Sequence, residues 1–151
     1  SSLCGYATSD EFARLKAETE ELVAKAEKEF LKSPLGVACH NFSHNTLWRR
    51  EPISMFVLDD TGTLLVDHLI PGDMWAGLRV QKDFFERPFL TTMLSYGPHG
   101  GWITTTIMNC IRHIYAKTVI KNKKRYVLGA GFFTEDRPYI KNLLIESIKK
   151  R

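Results

Sequence analysis

Three β-type runs follow one another at residues 102–107, 112–120 and 126–133, parted only by segments 108–111 and 121–124. They are rich in Ile, Val, Thr and aromatic residues, as strands are. Connections this short leave no room for a crossover, so neighbouring runs must pair antiparallel, and a three-strand meander is predicted. Everything else in the chain has to be placed around that sheet. Residues 53–58 and 63–68 read as one more hairpin, about the turn Asp59-Asp60-Thr61-Gly62. There Gly62 permits a positive φ, and the two aspartates can accept from turn amides. An antiparallel sheet of about five strands is expected.

Helical periodicity brackets the sheet. Phe12, Leu15, Thr19, Leu22, Val23, Ala26 and Phe30 recur at helical spacing from about residue 9 to 32, behind a capping box of Thr8 and Glu11. The other face is rich in Lys and Glu, with Glu21 and Lys25 placed to pair. Ser33-Pro34-Leu35-Gly36 interrupts this helix, and residues 37–50, which mix apolar residues with Asn and His, are expected as irregular helix and loop. Pro71-Gly72 breaks the chain after the hairpin, and residues 75–78 form a short apolar patch. Pro88 suits the first turn of a helix reaching about Tyr96, which Gly97-Pro98-His99-Gly100-Gly101 ends. A last helix begins near Asp136, with Pro138 in its first turn and Ile140, Leu143, Leu144 and Ile148 on one side. The order of elements is α+β, not doubly wound. With 151 residues, 44% hydrophobic and 25% charged, and without repeats or linkers, the chain is expected to be one domain over 1–151. Its parts are a helical region at 9–50, a sheet at 53–133 and a C-terminal helix at 136–150.

Several function classes find no support. The net charge is +4, but the basic residues are scattered except at 121–125 and 149–151, and neither run is interleaved with aromatics as a base-stacking surface would be. Cys4, Cys39 and Cys110 lack CxxC or finger spacing. Their odd count leaves at least one thiol free, and a Cys39–Cys110 bridge stays open. His40 and His44 stand four apart without the Glu of HExxH or a third ligand, so no metal is expected. Asp59-Asp60-Thr61-Gly62 lacks EF-hand spacing and a second copy for a carboxylate dyad. There is no GxSxG, and no cysteine lies in a histidine-bearing motif, so neither an enzyme nor a resident cofactor is expected. No stretch reaches the roughly 18 apolar residues of a membrane span. The chain as given reads as soluble, while spans flanking it in a longer protein stay open.

Five segments carry a family resemblance. They are Met55-Phe56-Val57-Leu58-Asp59-Asp60-Thr61-Gly62-Thr63-Leu64-Leu65-Val66-Asp67-His68, Phe85-Glu86-Arg87-Pro88-Phe89 with Met93-Leu94, Gly100-Gly101-Trp102, Arg112-His113-Ile114-Tyr115, and Tyr126-Val127-Leu128-Gly129-Ala130-Gly131-Phe132-Phe133. In order and spacing they resemble the single Cache domains. These are PAS-like extracytoplasmic sensing modules of bacterial chemoreceptors, histidine kinases and some free periplasmic proteins. The chain departs from the family at Arg112, where Lys is usual, and at His68-Leu69, where His-Pro is usual. The resemblance implies a PAS-like sheet with a long N-terminal helix, and a pocket between the curved sheet and the loop and helix crossing it. It further implies a small carboxylate or amino acid as ligand and a periplasmic location, either within an inner-membrane receptor or free. In such a receptor the N-terminal helix is the output element or the element of a homodimer, while packing on its own sheet is the stronger account of its apolar stripe.

A carboxylate ligand needs a donor fork, hydroxyl or amide donors, and apolar walls that strengthen those bonds. Arg112 is the expected fork and Tyr115 a hydroxyl donor, with Trp75 and Trp102 as walls. Trp102, Thr104 and Thr106 alternate onto one strand face and can line a pocket together. Arg79 is a second candidate anion partner, and Asp67 with His68 can contact an amine or form a pH-sensitive pair. Each has a plainer structural alternative: Arg112 as an exposed hairpin residue, Tyr115 and Trp102 as core aromatics, Arg79 on a surface loop, His68 as a structural strand-end histidine. If Arg112 is a pocket residue, Arg112→Ala is expected to abolish carboxylate binding with little loss of stability. Two rival readings are a free-standing periplasmic or lipid-anchored binding protein and a cytoplasmic PAS domain holding haem or flavin.

Overall fold

The computed structural model of the protein describes residues 9–69, 88–107, 109–134 and 137–150. Helix α1 (Ser9–Lys32) buries Leu15, Thr19, Leu22, Val23, Ala26 and Phe30, the stripe read from the sequence. Thr19 is the polar member of that stripe, and its hydroxyl donates to the Leu15 carbonyl at 2.6 Å, so its burial strands no polar group. The last turn is closed from the sheet, where the Lys121 ammonium donates to the carbonyls of Phe30 and Ser33. It thereby satisfies oxygens that a helix end leaves without partners. The capping role of Thr8 lies outside the described residues.

Residues 37–50 are more regular than expected. Helix α2 (Leu35–His44) is followed by a 3-10 turn at Thr46–Trp48. Pro34 sits at the helix start with ψ 150, and Ala38 and Phe42, four apart, form the buried stripe that the interspersed Asn and His residues obscure.

The strands are β1 (Ser54–Asp59), β2 (Leu64–Asp67), β3 (Gly101–Ile107), β4 (Cys110–Lys121) and β5 (Lys124–Phe133). They form one antiparallel sheet in the order β2-β1-β5-β4-β3, an α+β PAS-like arrangement. The meander turns are tighter than the sequence suggests. Lys121 pairs directly with Lys124, across Asn122 and Lys123 at φ 51 and 67, and Ile107 pairs with Cys110, beside Asn109 at φ 66. These are the positive φ values of two-residue hairpins.

Alternation divides the sheet into two faces. On one, Met55, Val57, Val119, Tyr126, Leu128, Ala130 and Phe132 pack with α1 and α2. On the other, Phe56, Leu58, Ile114, Ala116 and Val127 pack with Phe89, Leu90 and Met93 of helix α3 (Phe89–Ser95). Helix α4 (Arg137–Lys149) closes one end of the molecule, where Leu144 and Ile148 meet Leu69, Cys110 and Phe133. The side chain of Ile140 lies outside the described residues. Cys39 and Cys110 lie in different clusters, so the Cys39–Cys110 bridge does not form. Burial pushes the Cys39 thiol up to about 11. Among the described residues, no helix is long and apolar enough to cross a membrane.

Candidate functional site

The face away from α1 carries a trough in the sheet. On β5 the alternation that puts Leu128, Ala130 and Phe132 towards α1 puts Gly129 and Gly131 on the other side. A Cβ on Gly129 would lie 2.3 Å from the Phe56 ring, and one on Gly131 would lie 2.9 Å from Arg112 Nε. Two missing side chains therefore admit an aromatic ring and a guanidinium against the sheet backbone.

Arg112 reaches from β4 over Gly131, and its Nη2 donates to the Ser54 carbonyl on β1 at 3.1 Å. Its guanidinium carbon stands 5.6 Å from the Phe56 ring centroid and 6.0 Å from that of Phe133. The residue is 6% exposed, which removes the exposed-hairpin alternative. Burial lowers the Arg112 pKa, and the Asp67 charge opposes this. On the Asp67 carboxyl, at the end of β2, desolvation pushes the pKa up while Arg112 pulls it down. One Asp67 oxygen, Oδ1, accepts from the Leu69 amide at 2.9 Å. Thr105 is buried and directly opposite Arg112 across the β3–β4 pair.

Two buried polar atoms on this face have no hydrogen-bond partner among the described residues: the Nε–H of Arg112 and the hydroxyl of Ser54. An orphaned buried polar group costs about 1–3 kcal/mol, more when it is charged. Native structures hold few of them, and each calls for a reason of its own, a strained or catalytic role or a bound water or ion.

The structure separates the residues expected to act together. Arg112 and Tyr115 are three apart on one strand and face opposite ways. Tyr115 lies on the α1 side with Trp102, ring centroids 5.5 Å apart, and its hydroxyl donates to the His99 carbonyl at 3.2 Å. Gly100, at φ 75, makes room for it, since a Cβ there would come within 2.4 Å of that hydroxyl oxygen. Trp102 Nε1 donates to Glu20 of α1 at 3.1 Å, and Lys16 of α1 lies 4.8 Å from its ring. Thr104 shares the face of Trp102 and is exposed. Both aromatics thus anchor α1, away from the trough. Trp75 and Arg79 lie outside the described residues.

His68 and Asp67 do not form a pair, because successive strand residues face opposite ways. His68 is buried beneath α2, with Nε2 2.7 Å from the Phe42 carbonyl. A carbonyl only accepts, so Nε2 carries the proton. His68 Nδ1 is then an unpartnered acceptor among the described residues. Burial lowers the His68 pKa and keeps the ring neutral. His40 and His44 meet on the exposed side of α2, ring centroids 4.3 Å apart, but no group of three or more metal-ligating side chains exists among the described residues.

Ser54, Thr105 and Phe56 were not singled out by sequence reasoning. The available signal was Asn109. An Asn beside a two-residue turn fixes Ile107 opposite Cys110 and hence Thr105, not Thr104 or Thr106, opposite Arg112.

No family model matches the chain, and no curated protein matches it. Among solved structures, an extracellular ligand binding receptor from Desulfohalobium retbaense DSM5692 is similar over 65% of this chain, at 17% identity and a TM-score of 0.37. This chain spans 14% of that protein's length.

Proposed function

We propose that this chain is a small-molecule sensing domain of the Cache type, which binds a small carboxylate or amino acid against the sheet face opposite α1 and turns nothing over. The observation that carries this reading is the buried Arg112, anchored through Nη2 to the Ser54 carbonyl, while its Nε–H and the Ser54 hydroxyl both lack a partner among the described residues. A ligand carboxylate would accept from both groups in a site walled by Phe56 and Phe133. Asp67, whose Oδ1 accepts from the Leu69 amide, offers carboxylate acceptor capacity for a ligand amine.

Neighbouring residues of β4 link the two faces. Arg112 points into the trough, while His113 packs edge-on to Phe12 of α1 at 4.8 Å and stacks on Phe132 at 5.5 Å. A ligand that prefers one placement of β4 thereby biases the packing of α1, and only differential affinity for two packings can do so. In this reading α1 is the output element of an extracytoplasmic receptor, of the kind that controls chemotaxis or a two-component kinase.

A thermal-shift screen against small carboxylates, amino acids and amines tests the proposal. A ligand at a hundred times its dissociation constant stabilises the fold by about 2.7 kcal/mol. The expected result is a shift confined to carboxylate-bearing compounds and lost in Arg112→Met. No shift with any compound, or one that Arg112→Met leaves intact, would overturn it.

A further inference from the structure

Helix α2 carries no Asp, Glu, Lys or Arg between Leu35 and His44. Its inner side is Ala38 and Phe42, and its outer side presents His40 and His44, both exposed. Residues four apart on a helix share a face, and here the two imidazoles stand together instead of splaying into solvent. Their ring centroids lie 4.3 Å apart, with 40° between the ring planes. Two imidazoles held by one ion through nitrogens at about 2.0–2.1 Å, at a square or tetrahedral angle, have centroids about 4.5–5 Å apart. The pair is therefore within about 1 Å of a chelating separation. Among the described residues, no hydrogen bond or ion pair engages either ring.

We propose that His40 and His44 chelate one divalent transition ion on the outer face of α2. Imidazole nitrogen suits Zn(II), Cu(II) and Ni(II), whereas Mg(II) and Ca(II) call for oxygen ligands. Two protein ligands leave the remaining positions to water or to a donor from another molecule, so this is an open site and not a closed structural centre. His44 is the last residue of α2, and the negative end of the helix dipole favours a cation there. Arg49, whose Nη2 donates to the Ser43 carbonyl at 3.3 Å, opposes it, but the charge is exposed and screened. The two histidines bracket Phe42, whose carbonyl accepts from His68 Nε2 at the end of β2. An ion across them thus fixes the turn that ties α2 to the sheet.

Titration of the untagged 151-residue chain with Zn(II), followed by 1H–15N spectra of the histidine side chains, tests this. The ring signals of His40 and His44 are expected to move together and to saturate at one ion per chain. Both positions are exposed and Gln suits a helix, so His40→Gln and His44→Gln should each melt like the wild type without Zn(II). Each should weaken Zn(II) binding by about tenfold or more, because a chelate loses the advantage of its tethered second ligand. Ring signals of His40 and His44 that stay in place as Zn(II) is added would overturn the proposal. So would either variant binding Zn(II) as tightly as the wild type, since the ion would then be held elsewhere.

Discussion

Arg112 is held in place by the backbone it crosses, and this makes it costly to remove. Arg112→Ala loses the bond to the Ser54 carbonyl and the packing on Phe56 and Phe133. A hydrogen bond from a charged group contributes about 2 kcal/mol, so urea unfolding should show a loss of at least that size. The sequence suggests a substitution with little cost, which an arginine at 6% exposure does not allow. His68 sets an acid limit. Its imidazole has its ordinary pKa of 6.5 in the unfolded chain and a lower one when folded. Below pH 6.5 the unfolded chain therefore binds the proton first, and stability falls as pH drops through the folded pKa. Asp67 works in the opposite sense. Its folded pKa is raised above 3.8, so its contribution declines as pH rises through that window. The comparison that isolates His68 is His68→Gln, whose amide can still donate to the Phe42 carbonyl. Its stability should lose the dependence between pH 6.5 and the lower folded pKa, and an unchanged pH profile would contradict the buried neutral ring. At this scale the sequence is informative about residue type and poor about direction. Arg112 stands out as a charged residue between the apolar Ile111 and Ile114 of its strand, but its partners are fixed by register. Ser54 and Thr105 are ordinary strand residues until a turn of known length places them opposite something.

Among the elements, β5 shapes the trough and α1 holds the opposite face. Gly129→Ala would drive a methyl into the Phe56 ring, a clash of the kind that costs about 1–3 kcal/mol in a packed interior. Phe56→Ala alone would cost about 3 kcal/mol or more. If the ring is what excludes the methyl, the double variant Gly129→Ala/Phe56→Ala should cost clearly less than the sum of the two, and simple additivity would contradict the close approach. On α1, Leu22 is buried against the sheet, so Leu22→Ala should lower stability by about 3 kcal/mol in denaturant melts. A loss below about 1 kcal/mol would mean that α1 is packed more loosely than its burial indicates. Residues 9–32 are legible as a helix because a long amphipathic stripe has one period. Residues 35–44 are not, because Ala38 and Phe42 are too few to establish a period among polar neighbours.

For the molecule as a whole, the sequence carries the antiparallel meander and the α+β class but not the strand order. Short turns force β3, β4 and β5 to be neighbours in space. That β1 lies beside β5 depends on the segment between β2 and α3, and no local pattern specifies where such a connection returns. The order matters because it lays Ser54 and Phe56 of β1 beside the two glycines of β5 and brings Asp67 of β2 within electrostatic reach of Arg112. The site is a product of five strands meeting, while the aromatics that look like a pocket belong to the grip on α1. The most direct test is a 1H–15N correlation spectrum of the arginine Nε–H and tryptophan Nε1–H groups, recorded while a carboxylate found by thermal shift is added. The account predicts a saturable shift of the Arg112 Nε–H signal with a much smaller change at Trp102 Nε1–H, which stays bonded to Glu20. A ligand that moves Trp102 and leaves Arg112 Nε–H unchanged would place binding on the α1 face and contradict the account.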